Sequence, residues 1–178
     1  MPGASSGLMR LAQRSTVERE AALEHCELCG TPIPADHRHV LELATRDVKC
    51  ACRPCGLLFE RSDRMKLIPG DVRRVGDIDL GLPVEIVFCV RINGATKAFY
   101  PSPVGPTESL LAVDPGVELA DDVEALLVNR GHAWIVGIDV CFALVGVVRT
   151  HWRGLTGGAE VRRELDTFFA GLDRRSRG

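Results

Sequence analysis

The chain has 178 residues, 46% of them apolar and 26% charged, with a formal net charge of −2; that is the composition of a soluble globular protein with a genuine core. A near-neutral balance argues against nucleic acid as a partner of the whole chain. The longest clear apolar run, Val140–Val148, lies between Asp139 and Arg149 and falls far short of the roughly 20 residues that membrane insertion needs, and the opening residues lack the apolar core of a secretory signal, so a cytoplasmic location is expected.

In chain order, residues 1–17 are small and polar and are expected to be disordered. Glu18–His25 is a good helix former that leads into a cysteine-rich module spanning 18–60. A charged connector over 61–81 follows, with a strand predicted around Met65–Ile68. The third part, 82–174, opens with VEIVFCVRI, Asn93-Gly94 and ATKAFY, two β-rich runs about the strongest short hairpin signal. PSPVGP comes next and should be unable to complete a ladder, because proline lacks a donor. ALLVNR and AWIVGI, separated by Gly131-His132, predict a second hairpin. Asp139 is placed to cap a helix whose stripe is Cys141, Leu144, Val145, Val148 and Trp152, although its valines and Gly146 also suit a strand. Val161, Leu165, Phe168, Phe169 and Leu172 predict a last helix after Gly157-Gly158. The expected class is therefore α+β: a small four-cysteine, zinc-ribbon-like module, then a mixed domain of antiparallel hairpins and C-terminal helices.

Charge is uneven along the chain. Thr45–Val75 holds eight Lys or Arg against four acids, and Gly76–Ala125 holds nine acids against Arg91 and Lys97. Such segments either attract each other or a shared partner, or are merely solvated faces.

Five of the seven cysteines lie between positions 26 and 55, and in a cytosolic chain clustered cysteines read as metal ligands. Cys26-Glu-Leu-Cys29-Gly30 and Cys52-Arg-Pro-Cys55-Gly56 are two C-x2-C-G knuckles. Their spacing brings both sulfurs of a pair to one ion, and the glycine permits the tight turn. Cys26, Cys29, Cys52 and Cys55 thus predict a four-sulfur tetrahedral site for zinc. The intervening HVLELATRDVKCAC reads as a hairpin folding one knuckle over the other. Arg38, Lys49 and Arg53 are placed to offset the site's negative charge. Iron is the alternative, because paired knuckles of this kind also hold the single iron of rubredoxins; those put proline directly after the first cysteine of the second knuckle, where Arg53 stands here. Cys50 forms a cramped C-x-C step with Cys52 and is left outside the set, as a neighbouring thiol, a substitute ligand or part of an iron–sulfur arrangement. Cys89 and Cys141 stand in apolar segments and read as buried small hydrophobes.

No catalytic residue is assigned, and the chain does not read as an enzyme. Asp36-His37-Arg38-His39 between the knuckles resembles the resolvase-type HNH nucleases, in which such a pair binds a catalytic divalent metal. The asparagine expected after the last knuckle cysteine is replaced by Gly56, and His37 and His39 read better as flanking or replacing zinc ligands, or as lying on the module's surface. Ser102, Ser109, His132 and His151 lack any nucleophile-elbow spacing. Arg149 to Gly158 could hold an anion at a helix start, but reads more simply as a cap with Trp152 in the core. Phe99–Leu111 suits a rigid recognition loop or a connector.

Taken together, CELCG, the HRH step, CACRPC, FYPSPVGPTESLL, EALLVNR and LVGVVRTHWRGLTGG resemble a bacterial family encoded within gene clusters for high-affinity, oxygen-tolerant NiFe hydrogenases. The likeness runs from Cys26 to about Leu172. It implies an accessory or maturation role, with hydrogenase subunits or maturation factors as partners, and carries no catalytic residues. The resulting expectation is a zinc-binding accessory protein acting by protein–protein binding. Its alternatives are an iron-containing redox or electron-transfer protein on the same cysteines and, further off, an HNH-like nuclease.

Overall fold

The computed structural model describes residues 24–60 and 62–177, which fall into two compact units divided between Leu67 and Ile68. The expected disordered terminus and most of the expected helix over 18–25 lie outside the described residues. The last two residues of that helix, Glu24 and His25, are instead strand β1, paired antiparallel with β2 (Pro32–Ile33). This pairing closes the first knuckle at its base, an outcome that local helix propensity does not anticipate.

The rest of the first unit is a three-stranded antiparallel sheet of β3 (Arg38–Glu42), β4 (Val48–Ala51) and β5 (Met65–Leu67), in the order β4-β3-β5. The hairpin expected between the knuckles is β3–β4. A short helix, α1 (Arg53–Leu58), follows the second knuckle, with Pro54 in its first turn where a missing N–H costs nothing. Val40, Leu41 and Ala51 are fully buried and Ile33 nearly so, a small apolar core for one unit.

The second unit is built on a six-stranded antiparallel sheet in the order β6-β11-β10-β7-β8-β9. Its strands are β6 (Arg73–Asp77), β7 (Ile86–Ile92), β8 (Ala95–Ser102), β9 (Gly105–Glu108), β10 (Glu124–Asn129) and β11 (His132–Gly137). Both predicted hairpins form. Asn93 (φ 51°) and Gly94 (φ 77°) make the first turn, as the twist of a two-residue hairpin requires. The second turn is Arg130-Gly131 rather than Gly131-His132, so His132 begins β11, opposite Asn129. The proline segment does join the sheet, contrary to expectation: Pro101 faces Pro106. The β7–β8 ladder has already ended at Phe88↔Phe99 and β9 is the outer strand, so neither proline's missing donor faces a strand that needs it. The charged stretch 61–81 contains not only β5 but also β6. Val75 packs against the core, and charged groups hold the strand's arginines: Arg73 bonds Glu124, and Arg74 pairs with Asp173 and lies 5.6 Å over the Trp134 ring. The basic and acidic segments therefore meet in part inside this unit.

Alternation sorts the sheet's two faces. Val87, Cys89, Ala98, Leu126, Val128, Ala133 and Ile135 share one, covered by Leu119 and by Ile78, Leu80, Leu82, Val113 and Val117. The alternate residues include Phe88, stacked on Phe99, and Trp134, stacked on Phe169. Phe169 belongs to the last of two helices, α2 (Ile138–His151) and α3 (Gly158–Arg175). Helix wins over strand for α2 because Cys141, Leu144, Val145 and Val148 bury one stripe. Gly137, not Asp139, occupies its cap; Asp139 lies in the first turn. Cys89 and Cys141 are both fully buried. Trp152 is only half-buried, its indole N–H donating to Gly154 O. No helix among the described residues is long and apolar enough to cross a membrane.

Candidate metal centre

Each half of the cysteine cluster is set by its local backbone. In the first knuckle the Gly30 N–H returns to Cys26 O (2.8 Å) and the Cys26 N–H reaches Thr31 O (2.8 Å). Gly30 sits at φ 75°, the left-handed conformation this tight turn needs. Gly56 plays a different part from the one its spacing suggests. It is buried in α1, where a Cβ would lie 3.3 Å from Leu67 Cδ1 and 3.7 Å from Arg38 Cβ. Its value is close approach of helix to sheet, and its N–H closes the second knuckle on Cys52 O (2.9 Å).

These turns bring one sulfur from each of Cys26, Cys29, Cys52 and Cys55 within 4.8 Å of one another. Cys29 Sγ and Cys52 Sγ are 3.7 Å apart. Four sulfurs around one ion with bonds of about 2.3 Å would be separated by about 3.8 Å, so the spacing suits a shared ion. Cys26 is 1% exposed while Cys29 is exposed; the cluster is anchored from below and reaches the surface on one side.

The surroundings of the four thiols are not alike. Burial pushes the Cys26 thiol up, yet backbone N–H groups of Cys52, Leu28 and Cys29 outweigh it and the net shift is downward. The Thr31 hydroxyl, 3.4 Å from Cys29 Sγ, and then the Thr31 backbone hold Cys29 down to about 6. Cys55 is pushed up to about 12 by its hydrogen bond with Cys52 and then by burial. Backbone amides at Cys26 and the Thr31 hydroxyl at Cys29, not basic side chains, lower these thiols. Lys49, expected to offset the site, pairs with Glu42 at 3.3 Å, and Arg53 is exposed. The four cysteines could hold a metal ion.

A second group of donors lies in the same unit. One donor atom from each of His37, His39 and Cys50 lies within 4.8 Å of the other two. Cys50 is half-buried, and burial followed by the charges of Glu27 and Glu24 raises its thiol. Sequence spacing leaves Cys50 aside; the signal that places it is the β3–β4 register, which sets His39 directly opposite Cys50. Asp36 is exposed and belongs to neither group.

The remaining candidates are used locally. Ser102 donates to Gly105 O and accepts from Thr107, His132 bonds Asp77, and His151 bonds Glu160. Arg153, considered for an anion, donates to the carbonyls of Thr150 and Trp152.

Compared with curated proteins and with solved structures, the chain matches none. A family model matches residues 25–176, from just before the first knuckle to the end of α3, and the chain belongs to that family, the family of unknown function DUF5947.

Proposed function

We propose that this chain is a zinc-binding accessory protein that works by protein–protein binding in the assembly or function of a NiFe hydrogenase. The observation that carries the metal part is the convergence of four cysteine sulfurs from two knuckles. An all-thiolate, four-coordinate set is the arrangement zinc takes in structural sites, and it leaves no coordination position for substrate. The buried apolar core around it is small, so an ion that fixes both knuckles contributes much of the unit's stability.

Binding as the mode of action is supported by exposed apolar side chains on and beside regular elements. Leu57 and Leu58 on α1, directly after the second knuckle, are 59% and 74% exposed. Val104 at the tip of the β8–β9 hairpin and Leu110 and Leu111 just beyond it are also exposed, in the segment that suits either a recognition loop or a connector. Exposed apolar groups held by rigid backbone are what a docking surface requires. The hydrogenase assignment rests on the motif resemblance alone.

The test joins metal analysis to binding. Full-length protein purified without added metal should be colourless and contain zinc; a coloured, iron-containing preparation supports the redox reading instead. Tagged protein should capture the large or small hydrogenase subunit, and Leu57→Asp/Leu58→Asp should reduce capture at least tenfold while zinc is retained. Capture of neither subunit, with normal hydrogenase activity in a strain lacking the protein, overturns the proposal.

A further inference from the structure

We propose that His37, His39 and Cys50 form a second metal site, separate from the four-cysteine set, which takes one divalent transition-metal ion of the zinc or cobalt kind and leaves one coordination position open. It goes beyond the role proposed above, because the four-cysteine set is closed and this one is not.

Chain register alone assembles the three donors. His37 immediately precedes β3 and His39 is its second residue, and their ring centroids are 4.8 Å apart, edge to face. Cys50 on β4 is the cross-strand partner of His39. The donor atoms span no more than 4.8 Å, which side-chain rotation closes onto one ion.

The hydrogen bonding of His37 points the same way. Its Nδ1 lies 2.8 Å from Pro34 O and 3.2 Å from Glu24 Oε2. Both are acceptors, so Nδ1 carries the proton and the nitrogen left to ligate is Nε2. The side chain is only 7% exposed, and Nε2 is buried without a hydrogen-bond partner. A histidine that serves only the core bonds through both nitrogens or keeps the second in water. One nitrogen held by a carbonyl or carboxylate, with the other bare and turned inward, is how metal-ligating imidazoles are usually positioned.

The donor set defines the ion. Two imidazoles and a thiolate select borderline-soft divalent ions over magnesium or calcium. The Glu24 carboxylate on His37 and the Glu27 carboxylate, which accepts the Cys50 N–H, surround the site with compensating negative charge. Three protein ligands leave the fourth place to water or to a donor from a partner.

The full chain, stripped of metal under reducing, anaerobic conditions, is titrated with cobalt(II) alone and followed by its absorption. Wild-type protein should bind two equivalents. His39→Gln and Cys50→Ser should each weaken the second equivalent at least tenfold, with the cobalt–thiolate absorption of the first unchanged, which also shows that the module still folds. Saturation of the wild type at one equivalent overturns the proposal, as does retention of two equivalents by the double variant. Cys29→Ser addresses the other equivalent, so the four-cysteine reading can fail independently.

Discussion

At the scale of single residues, the cysteines differ in what they do for the fold. Cys26 is 1% exposed and collects backbone N–H groups from both knuckles, so it links the two halves. Structural zinc is worth about 10–16 kcal/mol in small modules, far more than the buried Val40, Leu41 and Ala51 can supply. Cys26→Ser should therefore remove the metal and unfold residues 24–67 while the second unit persists. Loss of amide dispersion confined to the first unit in an NMR spectrum is the expected result; a fully dispersed spectrum without metal would contradict it. Another residue-scale prediction concerns Glu160. Its carboxyl is held below the ordinary range chiefly by the hydrogen bond from His151, 2.8 Å away. A depressed carboxylate stabilises the fold above the ordinary carboxylate range and loses that contribution as pH falls through its lowered value. His151→Ala should move the Glu160 titration, read from its carboxyl carbon shift, upward toward the ordinary range. An unchanged midpoint would show that His151 is not the cause.

At the scale of elements, the join between β11 and α2 is the tightest place in the second unit. A Cβ at Gly137 would lie 2.5 Å from Pro69 O, 2.5 Å from Asp139 Oδ1 and 2.7 Å from Ile68 Cγ2. One of these is backbone and cannot swing aside. Gly137→Ala should therefore destabilise the protein by about 1–3 kcal/mol, the usual cost of overpacking. Gly146, exposed in the middle of α2 with nothing within 4 Å of an added Cβ, should do the opposite. Gly146→Ala should stabilise by about 0.4–1 kcal/mol through the unfolded state. Paired denaturant melts check both signs. The hairpins were readable because turn chemistry is local: Asn93-Gly94 names its own turn. Strand β6 was hidden because Arg73 and Arg74 are held by partners far along the chain, at Glu124 and Asp173. Helix α1 was hidden too, since six residues around a knuckle carry no apolar period; Pro54 was its only local sign.

At the scale of the whole molecule, the class and the four-cysteine cluster were legible because metal spacing is written in consecutive residues. The His37, His39 and Cys50 group was not, because it exists only once the β3–β4 register is fixed, and C-x-C spacing by itself pointed away from it. Proline also misled: Pro101 and Pro106 argued against a ladder, yet the edge of a sheet accommodates both. Both knuckles and the fold of the first unit hinge on Cys26, Cys29, Cys52 and Cys55 sharing one ion. Zinc-edge X-ray absorption on the His39→Gln/Cys50→Ser variant, purified without added metal, tests this most directly. The expected spectrum shows about four sulfurs at about 2.3 Å around the zinc and no nitrogen or oxygen. A mixed shell, or protein that folds with no bound metal, would contradict it.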